Sequence, residues 1–329
     1  LTSLVTGASG FVGAAVVRAL VARRERVRAL VRANSNQTNL AGLPVEIVTG
    51  DITDRASLGA AIRGCQFVFH VAADYRLWVP DPRLMYAANV DGSLNVIELS
   101  AEHGIERVVY TSSVAVLGIH ADRTPADETS PVSIADMIGP YKRSKYVAEE
   151  AVKGRAAELG LALVIVNPST PIGPGDVRPT PTGRIIVDAA TGRMPAFVDT
   201  GLNLVHVDDV ARGHVQALER GAPGQRYILG GADMTLERIL ALVAKHCGRK
   251  APWLRLPRTS IYPVAAISEI IARITRKEPR VTLDGLRMAK KHMYFSSHKA
   301  ERELGYSWRV PEEAIVDALG WFRQNGYLG

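Results

Sequence analysis

The segment Thr6-Gly7-Ala8-Ser9-Gly10-Phe11-Val12-Gly13 constrains this chain more than any other. It follows a short apolar run at 1–6 and opens Phe11–Ala22, where apolar residues recur at helical spacing. A strand that passes into a helix through glycines can turn tightly. It then presents backbone N–H groups at the helix N-terminus, where a pyrophosphate binds. The spacing is GxxGxxG rather than GxGxxG, and its position between a strand and a helix gives it weight.

The alternation continues along the first half. Strand-like runs stand at Arg26–Val31, 45–48, 67–71, Arg107–Thr111 and 161–166, and helical patterns at 57–63, 89–102 and 141–157. Such alternation predicts an α/β fold, a Rossmann-type doubly wound parallel sheet. Residues 167–183 hold five of the 18 prolines and read as a loop. A helix is expected at 184–191 and strands at 203–207 and Arg226–Leu229, with mostly helical sequence and proline joints at Pro252, Pro257 and Pro263 beyond. The expected organisation is a dinucleotide-binding domain at 1–169, with 203–231 returning to it. Residues 170–202 and 232–329 form a smaller, mostly helical substrate lobe.

With 47% hydrophobic and 22% charged residues over 329 positions, the chain can bury a sizeable core, which excludes disorder and collagen-like repeats. No apolar run reaches the ~18–20 residues of a membrane span. The greasiest stretch, 261–274, is broken by Glu269 and Arg273. Cys65 and Cys247 stand far apart with no CxxC, which argues against a disulfide framework, a metal site or a thiol redox motif. No signal-peptide pattern is visible, and the cytoplasm is the expected compartment, with the inner membrane as a peripheral location. The net charge is +7, and residues 245–310 concentrate it, with 15 Lys and Arg against 5 Asp and Glu. A basic lobe suits a phosphate, an anionic membrane or plain solvation. Nucleic acid is not expected as a partner, because zinc-finger spacing and an RRM aromatic signature are both missing.

The end of the second strand selects the dinucleotide. A carboxylate there would bind the ribose 2′-OH of NAD. Here Arg32 stands first, followed by Ala33-Asn34-Ser35-Asn36, and a guanidinium suits the 2′-phosphate of NADP. NADP is therefore the expected cofactor, with acceptance of NAD as the alternative. Asp51 and Ile52, after the third strand, are placed to contact the adenine, or to form an exposed turn.

Tyr141 and Lys145 are four residues apart on a predicted helix and share a face. The ammonium can lower the phenol pKa and hold the nicotinamide ribose, and the phenol can then exchange a proton with a carbonyl or an alcohol. Thr111-Ser112-Ser113 ends a strand, where doubly wound sheets place their ligands, so a serine hydroxyl there can hold the substrate oxygen.

TGASGFVG, GDITD, FHVAA, NVDGSLNV, VVYTSSVAVLG, YKRSK and HVDDVA occur in the order typical of one family. The sequence resembles an extended short-chain dehydrogenase/reductase of the NAD-dependent epimerase/dehydratase family, over essentially its whole length. The resemblance implies Tyr141 as acid/base, Lys145 as its partner and Ser113 as the carbonyl-binding hydroxyl. Ser113 is taken over Ser112 because it directly precedes VAVLG. It also implies a proton-relay role for Asn89, and cofactor contacts from the strand-end loop of His70, Val71, Ala72 and Ala73. Gly7, Ser9, Gly10, Phe11, Val12, Gly13, Pro168, Ser169 and Thr170 complete the implied cofactor set.

AADYRLWVPDP, NPSTPIGP, PTPTGRIIVD and DTGLNLVHVDDVARGH resemble bacterial hopanoid-associated sugar epimerases, which are similar in turn to dihydroflavonol-4-reductases. Nucleotide-sugar enzymes of the family usually carry R-x-x-N before the Gly-Pro turn. Here Asn167 and Thr170 occupy those positions. They also carry an arginine four residues before the position of His206, where this chain has Leu202, and leucine cannot bind a diphosphate. The expected function is an NADP-dependent oxidoreductase acting on a carbonyl or alcohol, small or lipid-linked, such as a hopanoid-linked sugar or aldehyde. The alternatives are an NAD(P)-dependent sugar epimerase/dehydratase of hopanoid biosynthesis and a non-catalytic NADP-binding regulatory module. Substrate-side candidates are Tyr75, Arg76, Trp78, Ser113, Ser169, Thr170 and Arg184, while His206 reads as structural. The basic apolar helix at 261–274, flanked by Arg258, Arg276 and Lys277, can rest weakly on an anionic membrane or build the lobe's core. The expected state is a monomer or a homodimer.

Overall fold

The structure, a computed structural model, describes residues 1–275, 279 and 281–328, without the side chain of Arg273. Arg276 and Lys277, two of the three basic flanks singled out above, lie outside the described residues. Six strands come from the first half: β1 (Thr2–Thr6), β2 (Arg26–Val31), β3 (Glu46–Thr49), β4 (Phe67–His70), β5 (Arg107–Thr111) and β6 (Leu163–Pro168). The chain then runs through β7 (Thr170–Ile172), β8 (Ala196–Phe197) and β9 (Gly201–His206). It follows β10 (Arg226–Leu229), then β11 (Ala232–Thr235), β12 (Leu254–Arg255) and β13 (His292–Met293). The central sheet is parallel throughout, in the order β10-β6-β5-β4-β1-β2-β3. The chain order reverses between β4 and β1, which opens a crevice at the carboxyl ends of these two strands.

Side chains along each strand alternate between two apolar layers, because successive Cβ atoms point to opposite faces. Val5, Phe69, Val109 and Val164 pack with α1 (Phe11–Ala22) and residues of a later helix, 207–220. Leu4, Val68, Val108 and Ile165 pack on the other face with Leu58, Val96 and Val152. These three come from α2 (Arg55–Ile62), from the helix 92–102 and from the helix 139–158. The strands are buried on both faces, which is why their sequences read as nearly continuous apolar runs.

The expected helix at 89–102 begins earlier. α3 (Pro82–Tyr86), capped by Asp81, passes through a wider π turn at Ala87–Asp91 into α4 (Gly92–Glu102), and Asn89 sits in that turn. α5 (Gly139–Glu158) carries Tyr141 and Lys145. The lobe holds α6 (Pro181–Thr191), and beyond α7 (Val207–Arg220) it holds α8 (Leu236–His246), α9 (Arg258–Thr275), α10 (Leu283–Met288) and α12 (Pro311–Gln324). The remaining helix, α11 (His298–Leu304), buries Ala300 and Leu304 in the same layer as α1 and α7.

Two expectations change. The stretch 203–231 divides. β10 and α7 join the central layers, but β9 pairs with β7, β11 and β13 in a second sheet. Asn203 inside β9 ties it there by bonding the Gly231 and Phe295 carbonyls and Asp233, all belonging to that sheet's surroundings. Pro263, expected at a joint, lies inside α9 past its first turn, where its ring nitrogen gives up one helical hydrogen bond. The outer face of α9 presents Val264, Ile267, Ile270, Ile271 and Ile274, each more than half exposed. Ala265 and Ala272 are its buried contacts.

Candidate active site

Strand register lines the singled-out segments up along one edge. Thr6 lies beside Leu30 on one side and His70 on the other, His70 beside Tyr110, and Thr111 beside Val166. The loops at 7–13, 32–36, 71–73, 112–113 and 167–170 therefore leave the sheet at neighbouring carboxyl ends. This is where an open α/β sheet binds ligands.

The glycine turn fits a dinucleotide. Gly7 has φ +66°, and a Cβ on it would stand 2.7 Å from the Ala72 backbone nitrogen. A Cβ on Gly13 would stand 2.1 Å from the Gly7 carbonyl oxygen, so the helix start and the turn touch through bare backbone. Gly10 caps α1, and the first helical bond runs from Ala14 N–H to the Gly10 carbonyl at 2.9 Å. The N–H groups of Phe11, Val12 and Gly13 precede that bond and face an incoming anion. Asn39 braces the turn by donating to the Ser9 and Gly175 carbonyls. The buried hydroxyls of Ser112 and Ser169, at the ends of β5 and β6, have no hydrogen-bond partner among the described residues. Orphaned polar groups at a strand edge are what a bound polar ligand satisfies.

Beneath the turn, a buried hydrogen-bond chain locks β1 to β4. Thr6 Oγ1 accepts the N–H groups of Val71 and Ala72 at 3.2 and 3.1 Å. Its own proton therefore goes to His70 Nδ1 at 2.8 Å. The opposite ring nitrogen of His70 donates to Ser93 Oγ at 2.9 Å, and Ser93 donates to the Asn89 carbonyl at 2.6 Å. Burial and the Lys145 charge hold the His70 pKa down at about 3, so the ring stays neutral.

Arg32 is exposed at the end of β2, beside the glycine turn. Asp51 and Ile52 lie in the turn that follows β3. Asp51 Oδ1 accepts from the N–H and hydroxyl of Thr53, forming the turn that leads to α2. Ile52 is buried against Gly92, and its carbonyl accepts from Asn95. The physical reason is that an Asx turn captures an aspartate whose N–H neighbour two residues on is free.

Ser113, Tyr141 and Lys145 come together above β5. Ser113 Oγ accepts from the Ala115 N–H at 3.1 Å, which leaves its own proton to donate. It is hydrogen-bonded to the half-buried Tyr141 phenol. Burial raises the Tyr141 pKa above its ordinary value, and the Ser113 bond offsets this only in part. The expected lowering of the phenol by Lys145 is not what the geometry gives. Lys145 is 2% exposed, and its Nζ donates to the Tyr110 hydroxyl at 3.2 Å and to the Thr111 carbonyl at 2.9 Å. Burial lowers the Lys145 pKa to about 8, while Glu149 opposes that shift. At neutral pH the pair is a protonated phenol beside an ammonium with one N–H still to give.

On the substrate side, Tyr75 is exposed and shares an electrostatic neighbourhood with Asp176, Arg178 and Arg184, so loop 74–78 meets loop 176–184. Arg76 folds back onto Asp74, Trp78 is half-buried, and Arg184 donates to the Pro179 carbonyl. Thr170 opens β7, and Pro168 is buried at the end of β6. Asn89 stands between the loop at Asp74 and α5. Its amide spans the Asp74 N–H at 2.7 Å, the Asp74 carbonyl at 2.9 Å and Ser144 Oγ at 2.9 Å, tying that loop to α5. His206 is structural, bonded to Asp317 and to the Asp208 N–H. Leu202 packs in the lobe's apolar layer.

Sequence reasoning missed three groups. Tyr110 is fully buried under Lys145 and bonded to Ser93. Asp176, raised to about 6 by burial, holds the Thr180 N–H and hydroxyl and folds the proline-rich loop. Lys142 is buried one residue after Tyr141. The long-range hydrogen bond of Tyr110 to Lys145 had no local pattern to reveal it.

Residues 3–230 match the NAD dependent epimerase/dehydratase family. The chain is 44% identical to a Synechocystis protein named as a dihydroflavonol 4-reductase, over 98% of this chain and 95% of that one. It is 35% identical to sterol demethylase protein B of Methylococcus capsulatus, covering 100% of both. The crystal structure of gox2253 superposes with a TM-score of 0.90 at 52% identity, covering 100% of this chain and 99% of that one. The match over more than half the chain, the crevice at β4 and β1 and the glycine cradle agree. The chain belongs to the NAD-dependent epimerase/dehydratase family, the extended short-chain dehydrogenase/reductases, enzymes that bind a nicotinamide dinucleotide for oxidoreductase, epimerase and dehydratase chemistry.

Proposed function

We propose that this enzyme is an NADP(H)-preferring reductase of an aldehyde or ketone carried on an apolar, lipid-like molecule, hopanoid-linked compounds included. The observation that carries the reading is the Tyr141 phenol beside the Ser113 hydroxyl at the end of β5, with burial raising its pKa above the ordinary value. An acid of this kind favours carbonyl reduction. The bound nicotinamide supplies the hydride for the carbonyl carbon. Ser113 donates to the carbonyl oxygen, Tyr141 gives that oxygen its proton, and solvent reprotonates Tyr141. Lys145 donates its remaining N–H to the nicotinamide ribose. Gly7, Ser9, Gly10, Phe11, Val12 and Gly13 cradle the pyrophosphate, and Arg32 takes the 2′-phosphate. The strand-end segments 71–73 and 168–170 line the nicotinamide half. Tyr75, Trp78 and Arg184 are assigned to the substrate mouth.

An apolar substrate is supported by Leu202, which sits in the apolar layer at the diphosphate position of nucleotide-sugar enzymes, and by the sterol-related name of one relative. The exposed isoleucine face of α9, with Ile267, Ile270, Ile271 and Ile274 at helical spacing, suits weak contact with a membrane that holds such a substrate. No described helix is long and apolar enough to cross a membrane.

The test is the oxidation of NADPH with a panel of apolar aldehydes and ketones. Tyr141→Phe keeps the ring and is expected to hold NADPH affinity within threefold while kcat falls about 10²–10⁴-fold. A near-normal kcat in this variant assigns the proton to another group and overturns the reading.

A further inference from the structure

A buried carboxylate stands next to the catalytic candidates and touches none of the reacting groups. Glu149 lies on α5, one helical turn past Lys145, and is 2% exposed. Its two oxygens take different partners. Oε1 accepts from Arg226 Nη1 at 3.1 Å, and Oε2 accepts from Asn167 Nδ2 at 3.0 Å. Arg226 stands on β10, and its Nε and Nη2 donate to the Glu128 carbonyl at 3.0 and 2.6 Å. Asn167, fully buried in β6, gives its other amide proton to the Ser113 carbonyl at 3.1 Å. Both amide protons are then used, which fixes the plane of that side chain. A continuous chain of hydrogen bonds therefore runs from β10, at the edge of the central sheet, through Glu149 to the peptide of Ser113.

The other contacts of Ser113 are local. Its carbonyl also accepts from the Val116 N–H at 3.2 Å, and its Oγ accepts from the Ala115 N–H. These bonds shape the turn after β5 without placing it against α5. The Asn167 bond ties the turn to β6, and Glu149 ties Asn167 to α5, which carries Tyr141 and Lys145. The same carboxylate acts on Lys145 by its charge. The titratable groups packed about Lys145 are Tyr110 on β5, His70 on β4, and Tyr141 and Glu149 on α5. Burial keeps the His70 ring neutral and raises both phenols, so among the described residues Glu149 is the charge that opposes the burial of the ammonium.

We propose that Glu149 is a positioning residue of this site: through Asn167 it sets the Ser113 peptide against α5, and through its charge it supports the Lys145 ammonium that holds the nicotinamide ribose. The proposal rests on the reductase reading for the role of Ser113. The action on Lys145 is read from cofactor binding, without turnover.

Two arms test it. In the first, NADPH affinity is followed by fluorescence titration between about pH 6.5 and 9.5, across the range where Lys145 loses its proton. Glu149→Gln keeps the size of the side chain and an accepting oxygen but not the charge. The midpoint of the alkaline loss of affinity is expected to move down by at least about 0.5 unit, because an ammonium without its nearby anion gives up its proton more readily. Arg226→Gln keeps the carboxylate and is expected not to lower the midpoint. Glu149→Gln combined with Arg226→Gln removes both charges, leaves no unpaired ion and is expected to show the same downward shift, so it decides the matter if the single variant does not fold. A residue that only filled space or anchored Arg226 would leave the midpoint in place. A midpoint within about 0.2 unit of wild type in Glu149→Gln, or in the double variant, overturns the proposal.

In the second arm, Asn167→Leu keeps the Glu149 charge and removes the link to Ser113. The midpoint is expected to stay, and kcat for NADPH oxidation with a carbonyl to fall tenfold or more while KM for NADPH stays within threefold. A kcat within threefold of wild type overturns the link to Ser113. If no carbonyl oxidises NADPH while Glu149→Gln shifts the midpoint, the reductase reading fails and the action of Glu149 on Lys145 stands. If carbonyls are reduced and the midpoint does not move, the reductase reading stands and the proposal fails.

Discussion

Three glycine-to-alanine variants separate the forces that hold the dinucleotide turn. Gly64 has φ +77° and open space where a Cβ would stand, so Gly64→Ala carries the left-handed backbone cost alone, roughly 1–2 kcal/mol. Gly13 has no left-handed φ, but a Cβ on it meets the Gly7 carbonyl oxygen at 2.1 Å. That contact is backbone against backbone and no rotamer relieves it. The turn must open, at about 3 kcal/mol or more. Gly7→Ala combines φ +66° with a Cβ 2.7 Å from the Ala72 nitrogen, and its cost is about 4–5 kcal/mol. A chain of 329 residues unfolds with an entropy of about 0.7 kcal/mol/K, so the expected falls in Tm are about 2 °C, 4 °C and 6 °C in that order. Differential scanning calorimetry reads these falls. NADPH fluorescence titration supplies the second readout: Gly64→Ala is expected at wild-type affinity, and the other two are weakened at least ~100-fold, about 2.7 kcal/mol. A Gly13→Ala protein with NADPH affinity within threefold of wild type and Tm within about 1 °C would refute the reasoning, because the helix start could then not rest on the Gly7 carbonyl.

Other expectations follow from single groups. Arg32→Asp is expected to weaken NADPH binding about 10–100-fold while sparing NADH, as loss of a charge-assisted contact predicts; equal affinity for both cofactors in the wild-type protein sinks the assignment. Lys145 has a pKa lowered to about 8, and with two N–H groups given to Tyr110 and Thr111 it has a third for the ribose only while protonated. NADPH affinity should therefore be flat below pH 8 and fall above it, and Lys145→Met should abolish that fall. The stability linkage has the opposite sense. The folded pKa lies below the unfolded one, so between about pH 8 and the ordinary lysine value the unfolded chain binds more protons, and this group's contribution to stability rises with pH. For α9, sedimentation with anionic vesicles at low salt, release by ~0.5 M salt and loss of binding in Ile270→Glu are expected; no pelleting at low salt leaves the helix as a solvated face.

The sequence by itself determined the central architecture. Glycines at 7, 10 and 13 between a strand and a helix, together with runs such as Phe67–His70 that are buried on both faces, left little besides a parallel doubly wound sheet. The edge on which the site lies was legible for the same reason, since strand ends and turn residues are local features. Tyr141 and Lys145 share a helix face because four residues make about one turn. What the tertiary structure decided depends on partners far apart in sequence. The direction of the Tyr141 shift follows from burial, against the opposing bond of Ser113, 28 positions away, and Lys145 turns to a tyrosine on another element. Asn89 became a brace because the loop at Asp74 and the helix at Ser144 close on it from both sides. The pairing of β9 outside the central sheet was equally invisible, because an apolar strand pattern does not say which sheet it joins.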